Sequence, residues 1–166
     1  MKTEDSIFLQ ALNKKPLSTP PIWYMRQAGR YMPEYRAVRK NFKNFLDMCK
    51  NSDVCCELAM QPIDAFDLDV AILFSDILTI PDAMGLGVQF LEGEGPVFEN
   101  PIKTSKDVMD IHTFDPDKLS YVYKAVSNIK SALPKNIPLI GFSGSPWTLA
   151  AYSIEGRSSK SFEFTK

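Results

Sequence analysis

The chain has 166 residues, of which 45% are hydrophobic and 23% charged, with a formal net charge of −1, the balance of an ordinary soluble globular protein. No apolar run is long enough to cross a bilayer, and Met1-Lys2-Thr3-Glu4-Asp5 carries two acids where a secretory leader needs a basic start and an apolar core. Near-neutral charge also disfavours nucleic acid as a partner, because no basic stripe runs the length of the chain.

Taken in order, Asp5 is expected to cap a short helix carrying Ile7, Phe8, Leu9 and Leu12. Prolines between Pro16 and Pro21 break it, and Ile22-Trp23-Tyr24-Met25 is expected to form a short buried strand. A loop holds Arg26 to Pro33, then a helical pattern runs through Val38, Phe42, Phe45 and Leu46. A second helix starts near Asn51-Ser52-Asp53, with Val54, Leu58 and Met60 as its apolar side. Val70 to Phe74 is continuously apolar and predicts a buried strand ending at Ser75-Asp76.

Beyond a turn of helix, Gly87–Leu91 and Pro96–Phe98, joined through Glu92-Gly93-Glu94-Gly95, predict a hairpin. Helices are expected around Lys106–Ile111 and Lys118–Leu133. Pro138–Phe142 is a third buried strand, and Ser145-Pro146 opens a last helix with proline in its first turn.

Strands alternating with helices predict an α/β protein with a parallel sheet and covering helices. Right-handed crossovers leave two architectures open, a doubly wound sheet or the start of an eight-stranded barrel. A complete barrel takes about 250 residues, so three strands would be less than half of one. The three cysteines, Cys49, Cys55 and Cys56, are an odd number that suits a reducing, cytoplasmic setting and structural burial.

Both architectures gather ligands at the carboxyl ends of strands. Three polar features are expected there: RQAGRY (Arg26–Tyr31), Ser75-Asp76, and GFSGSPWTLAAYSIEG (Gly141–Gly156). The charge pattern marks the first: Lys14 to Lys43 holds eight basic residues and one acid, Glu34, whereas Asn44 to Asp117 holds fifteen acids and three basic residues. Solvated helix faces and a local anion site both account for that asymmetry.

Two arginines four apart around Gly29 offer planar forks for bidentate carboxylate pairing. Pairing with a neighbour such as Glu34, or capping of helix carbonyls, is the structural alternative. Asp76 is equally open to a plain capping role, Tyr152 to burial beside Trp147 and Leu149, and Glu155 to the surface. His112 is the sole histidine, so neither a triad nor a histidine-rich metal site is assembled within this chain. The cysteines lack zinc spacing, and Gly85-Leu86-Gly87 and Gly93-Glu94-Gly95 fit no phosphate-binding fingerprint.

PIWYMRQAGRYMPEYR (Pro21–Arg36) resembles the N-terminal signature of the uroporphyrinogen decarboxylase family, ILFSDIL (Ile72–Leu78) its second block, and GFSGSPWTLAAYSIEG its third. The blocks stand in the family's order and cover nearly the whole chain. The resemblance implies a (β/α)8 TIM barrel, with residues 1–166 as the N-terminal portion of that single domain, roughly its first three βα units. It implies a lyase of haem biosynthesis, a cytoplasmic homodimer at full length. The enzyme removes four acetate carboxylates from uroporphyrinogen to give coproporphyrinogen, without metal or organic cofactor. Arg26 and Arg30 would act on substrate carboxylates, with Gln27, Ala28 and Gly29 in the same binding loop. Asp76 would be the central carboxylate stabilising a cationic intermediate, Tyr152 would line the cleft, and Arg39 would help hold a carboxylate.

A serine and a histidine of the family's site are expected beyond Lys166, so these residues alone are expected to be inactive. Two other functions stay open from the sequence. One is an inactive fragment or pseudo-enzyme that binds polyanionic tetrapyrroles; the other is a zinc- and cobalamin-linked methyltransferase of the same superfamily.

Overall fold

The computed structural model describes residues 6–25, 28–91, 93–111 and 115–166. The chain divides into two compact units, the first of Met1–Lys43, Asp47–Ser75 and Tyr121–Phe142, the second of Asn44–Leu46, Asp76–Ser120 and Ser143–Lys166.

In the first unit, α1 (Ile7–Leu12) has Ser6 at its N-cap; Asp5, the expected cap, lies outside the described residues. Helix α2 (Pro33–Arg39) starts with proline in its first turn, where the missing N–H costs no hydrogen bond. The expected continuation of α2 breaks after Arg39, where the Asn41 and Phe42 amides turn back on the Val38 and Arg39 carbonyls. Helix α3 (Phe45–Cys49) follows as a separate short element. Helix α4 (Ser52–Ala65) is capped by Asn51, whose side chain accepts from the Asp53 and Val54 amides. Its buried residues are Ser52, Cys55, Leu58, Ala59 and Pro62; of the expected apolar side Leu58 is buried, whereas Val54 and Met60 are only half-buried. Cys55 and Ala59 form one core cluster with Leu73 and with Ala125 and Ile129 of α7 (Ser120–Ala132).

Strands β1 (Ala71–Ile72) and β4 (Leu139–Ile140) pair in parallel, in register Ala71 with Leu139 and Ile72 with Ile140. The ladder is extended by Ala71 N–H to the Pro138 carbonyl and Leu73 N–H to the Ile140 carbonyl. Both strands are shorter than their apolar runs. The expected first strand does not form. Over Ile22–Met25 the backbone makes one described pairing, Asp69 N–H to the Ile22 carbonyl at 3.1 Å, while the Ile22 amide donates to the Asp69 carboxylate. Tyr24 and Met25 are exposed rather than buried. An apolar run becomes a strand only where a ladder partner satisfies its backbone.

In the second unit, α5 (Thr79–Pro81) runs into a wide turn over Asp82–Leu86. The hairpin forms as predicted, β2 (Val88–Leu91) antiparallel to β3 (Gly95–Phe98). Helix α6 (Ser105–Met109) carries a complete capping box between Thr104 and Asp107. Helix α8 (Pro146–Glu155) starts at the Ser145 cap and ends at Gly156, whose φ of 78° places it in the left-handed region that favours glycine. Leu46, Leu78, Leu86, Val88 and Phe98 form this unit's core, with Leu149 and Tyr152 of α8 against it. Among the described residues, no helix is long and apolar enough to cross a membrane.

Candidate active site

The arginine loop is held from α2. The Met32 amide donates to the Gly29 carbonyl at 3.0 Å, closing a turn. Arg36, one turn into the helix, reaches back and donates through Nη1 to the Arg30 carbonyl at 2.7 Å and the Tyr31 carbonyl at 3.0 Å. Arg30 itself is exposed. Arg26 and Gln27 lie outside the described residues. Tyr35 points inward, its ring 6.2 Å from that of Phe74. Burial pushes its hydroxyl upward, against the pull of the Arg39 and Arg30 charges. Arg39 donates to the Phe42 carbonyl at 2.6 Å.

A cavity of about 210 Å³ opens along β1 and just past its carboxyl end, lined by Ala28, Ile72, Phe74, Ser75 and Phe142 among others. Its walls are mostly apolar. Ala28 therefore brings the arginine loop to the carboxyl end of a strand, although among the described residues no strand precedes it. Phe74 and Phe142 had no chemical signal in the sequence beyond lying at the ends of apolar runs.

In the second unit, Asp76 closes a tight turn ahead of α5. Its Oδ1 accepts from the Leu78 amide at 2.8 Å, and its carbonyl accepts from the Thr79 hydroxyl at 3.0 Å. The capping alternative is thus partly realised, although the N-cap position of α5 is Leu78. Burial lifts the Asp76 carboxyl above the usual carboxylate range, and the single amide donor only partly offsets that. A carboxylate with too little solvation gains strongly from a nearby cation or N–H donor.

Tyr152 sits on α8, half-buried. Gly144 makes the approach to that helix possible: a Cβ there would stand 2.6 Å from Leu149 Cδ2. Tyr152 lines a second cleft, of about 130 Å³, with Trp147, Thr148, Arg157, Ser158 and Ser159. Glu155 is no free surface acid. Its Oε1 accepts from the Thr165 hydroxyl at 2.7 Å and from the Phe164 and Thr165 amides, each at 3.0 Å, and these donors hold its carboxyl below the usual range.

Of the sequence-predicted site residues, Ala28, Gly29 and Arg30 belong to the first unit and Asp76 and Tyr152 to the second. Cys49 and Cys55 are buried and Cys56 half-buried. The Cys55 thiol donates to the Cys49 carbonyl at 3.2 Å and is pushed up to about 12 by burial, which makes it an inert packing group. His112 lies outside the described residues. Among those described, no three His, Cys, Asp or Glu side chains converge as a metal site would require.

A family model described as uroporphyrinogen decarboxylase (URO-D) matches residues 3–166. A curated protein named uroporphyrinogen decarboxylase from Vesicomyosocius okutanii is 64% identical over 149 residues, which is 90% of this chain and 43% of that protein. One of the same name from Francisella tularensis subsp. mediasiatica is 57% identical over 158 residues, 94% of this chain and 45% of the relative. The chain thus spans less than half the length of these relatives. Among solved structures, a methyltransferase from Methanosarcina mazei superposes with a TM-score of 0.65 at 16% identity, covering 93% of this chain and 45% of that one. That likeness shows a shared mixed α/β fold.

Proposed function

The chain belongs to the uroporphyrinogen decarboxylase family, and from that premise we propose that it supplies the N-terminal part of an enzyme that decarboxylates uroporphyrinogen to coproporphyrinogen. The carrying observation is the unbroken match of residues 3–166 to this one family. The domain is then the first part of a (β/α)8 barrel, roughly three βα units. The complete protein acts as a cytoplasmic homodimer and needs no added cofactor.

Decarboxylation needs a place for the electron pair that carbon dioxide leaves behind, and most enzymes borrow a cofactor for it. A pyrrole bearing an acetate group supplies its own. A proton added to the ring carbon adjacent to the one that carries the acetate gives a cationic, imine-like ring. The C–C bond to the carboxylate then breaks and its electron pair forms an exocyclic double bond that neutralises the ring; a second proton turns that CH2 into the methyl group, and the first proton leaves the ring carbon to restore the pyrrole. The protein's tasks are to steady the transient cation and to hold the carboxylates.

Asp76 suits the first task. Its carboxyl lies above the ordinary range because burial penalises the anion, so pyrrole N–H groups and the ring cation restore the solvation it lacks. That gain is larger for the cation than for the neutral ring, which is the condition for lowering a barrier. Arg26 and Arg30 suit the second, as forks for substrate carboxylates, with Gln27, Ala28 and Gly29 shaping the loop. Tyr152 contributes a cleft wall.

The test is direct. The complete protein is incubated with uroporphyrinogen under reducing, oxygen-free conditions, and products are separated by their number of carboxylates. Successive loss of carboxylates down to the four-carboxylate porphyrinogen is expected; recovery of unchanged substrate overturns the reading.

A further inference from the structure

We propose that Arg36 is a positioning residue for the substrate-carboxylate loop, fixing Arg30 by clamping the backbone on which it stands. The inference rests on the reading of Arg30 as a carboxylate ligand.

Arg30 is exposed, on a loop whose turn is closed by one amide bond, Met32 N–H to the Gly29 carbonyl. A guanidinium on such a loop sweeps a wide volume, and holding it for a bidentate carboxylate contact costs conformational entropy at each binding event. Arg36 removes part of that cost. One nitrogen, Nη1, bridges two consecutive carbonyls, Arg30 at 2.7 Å and Tyr31 at 3.0 Å. Its base lies in the first turns of α2, where the Arg36 amide bonds the Met32 carbonyl at 3.1 Å. The helix itself is anchored by buried Tyr35 against Phe74. The chain of support therefore runs from core to helix, from helix to Arg36, and from Arg36 to the Arg30 backbone. A charged donor on a carbonyl is worth more than a neutral one. Using the carbonyls leaves the Arg30 guanidinium for a ligand. Lysine is an imperfect replacement, since its ammonium is a compact, strongly hydrated charge on a more flexible stem.

The test uses the complete protein with Arg36→Met, Arg36→Lys, Arg30→Ala and the double variant Arg30→Ala/Arg36→Met. Arg36→Met is expected to raise KM for uroporphyrinogen about tenfold, the scale of one charged hydrogen bond, with kcat within about twofold. Arg36→Lys falls between Arg36→Met and wild type. In the Arg30→Ala background, Arg36→Met adds almost nothing, because the residue it positions is gone. Hydrogen exchange supplies a readout that needs no substrate: the Met32 amide exchanges faster in Arg36→Met while the amides of α4 do not change. Three outcomes overturn the clamp: full activity of Arg36→Lys beside an impaired Arg36→Met, an undiminished KM effect in the Arg30→Ala background, or unaltered Met32 exchange. Faster exchange in a protein that does not decarboxylate uroporphyrinogen upholds the clamp and overturns the reaction instead.

Discussion

The loop around Arg30 and the turn around Asp76 are built in opposite ways. Arg30 is exposed, and its backbone is steadied by a distant side chain, Arg36, reaching back from α2. Asp76 is half-buried and held by its own neighbours, Leu78 and Thr79, two and three residues on. The first arrangement places a charge in water, where it captures anions without losing much solvation. The second keeps a charge partly dry, where it is costly at rest and effective toward a developing cation. Under the proposed function the two have separate tasks, and substitutions are expected to act on capture at the loop and on chemistry at the turn.

The strongest way to break that division is Asp76→Asn in the complete protein. The amide keeps an oxygen for the Leu78 N–H but carries no charge. A fall in kcat of about 10²–10³ is expected, the scale of losing one preorganised electrostatic group, with the melting temperature unchanged or higher. Product analysis by carboxylate number and a thermal melt check the two halves; near-normal turnover would remove Asp76 from its role. Next in size is Arg30→Ala. Loss of one bidentate contact raises KM by about tenfold or more, at roughly 1.4 kcal/mol per decade, with a smaller effect on kcat and little on stability, since the side chain is exposed. A kcat loss as deep as that of Asp76→Asn would erase the distinction between capture and chemistry.

A third expectation concerns the support of α8 in the second unit. Gly144→Ala forces a methyl against Leu149 Cδ2 at 2.6 Å, an overpacking expected to cost about 1–3 kcal/mol. Denaturant melts measure it, and a neutral result would mean that the half-buried Leu149 side chain gives way. The Asp76 turn, which precedes α5 and uses only local bonds, should keep its geometry in that variant better than Tyr152 does.

How much of this was legible in the sequence follows the range of the forces involved. The β2–β3 hairpin closes through a glycine-rich turn between neighbouring strands, so composition and alternation were enough. The start of α8 was legible for the same reason: Ser145-Pro146 acts through local backbone geometry. Ile22–Met25 has the apolar content of a strand, but pairing is a long-range property that no local window contains. On α4 the burial of Leu58 was legible, whereas Cys55 and Ala59 enter the core through long-range partners, Leu73, Ala125 and Ile129, that no local window contains. Arg30, Asp76 and Tyr152 stand out as candidates by residue type and motif. Arg36 does not, since the two carbonyls it bonds carry no sequence signature. Glu155 was read as a surface acid because its donors, Phe164 and Thr165, become neighbours only when the chain folds back.

The finest way to sharpen the comparison is the pH dependence of stability. Burial raises the Asp76 carboxyl in the folded protein above its unfolded value. The folded state therefore holds the proton more tightly than the unfolded state does, and this group's contribution is most favourable in acid. As pH rises from the unfolded value, about 3.9 for aspartate, through the raised folded value, that contribution is lost. Glu155 has the opposite sign: its folded carboxyl is lowered by the Thr165 and Phe164 donors. Its contribution is present above the unfolded value, about 4.3, and is lost as pH falls through the folded one. The profile of Asp76→Asn minus wild type isolates the first group. It should be flat and near zero below the unfolded aspartate value, turn positive as pH rises, and level off once Asp76 is ionised in the folded protein. The Arg30→Ala difference profile should show no such step at acid pH. A downward step for Asp76→Asn would mean that the folded protein stabilises the aspartate anion rather than tolerating it. The charge would then be a structural element of the turn, not one held in readiness for a cation.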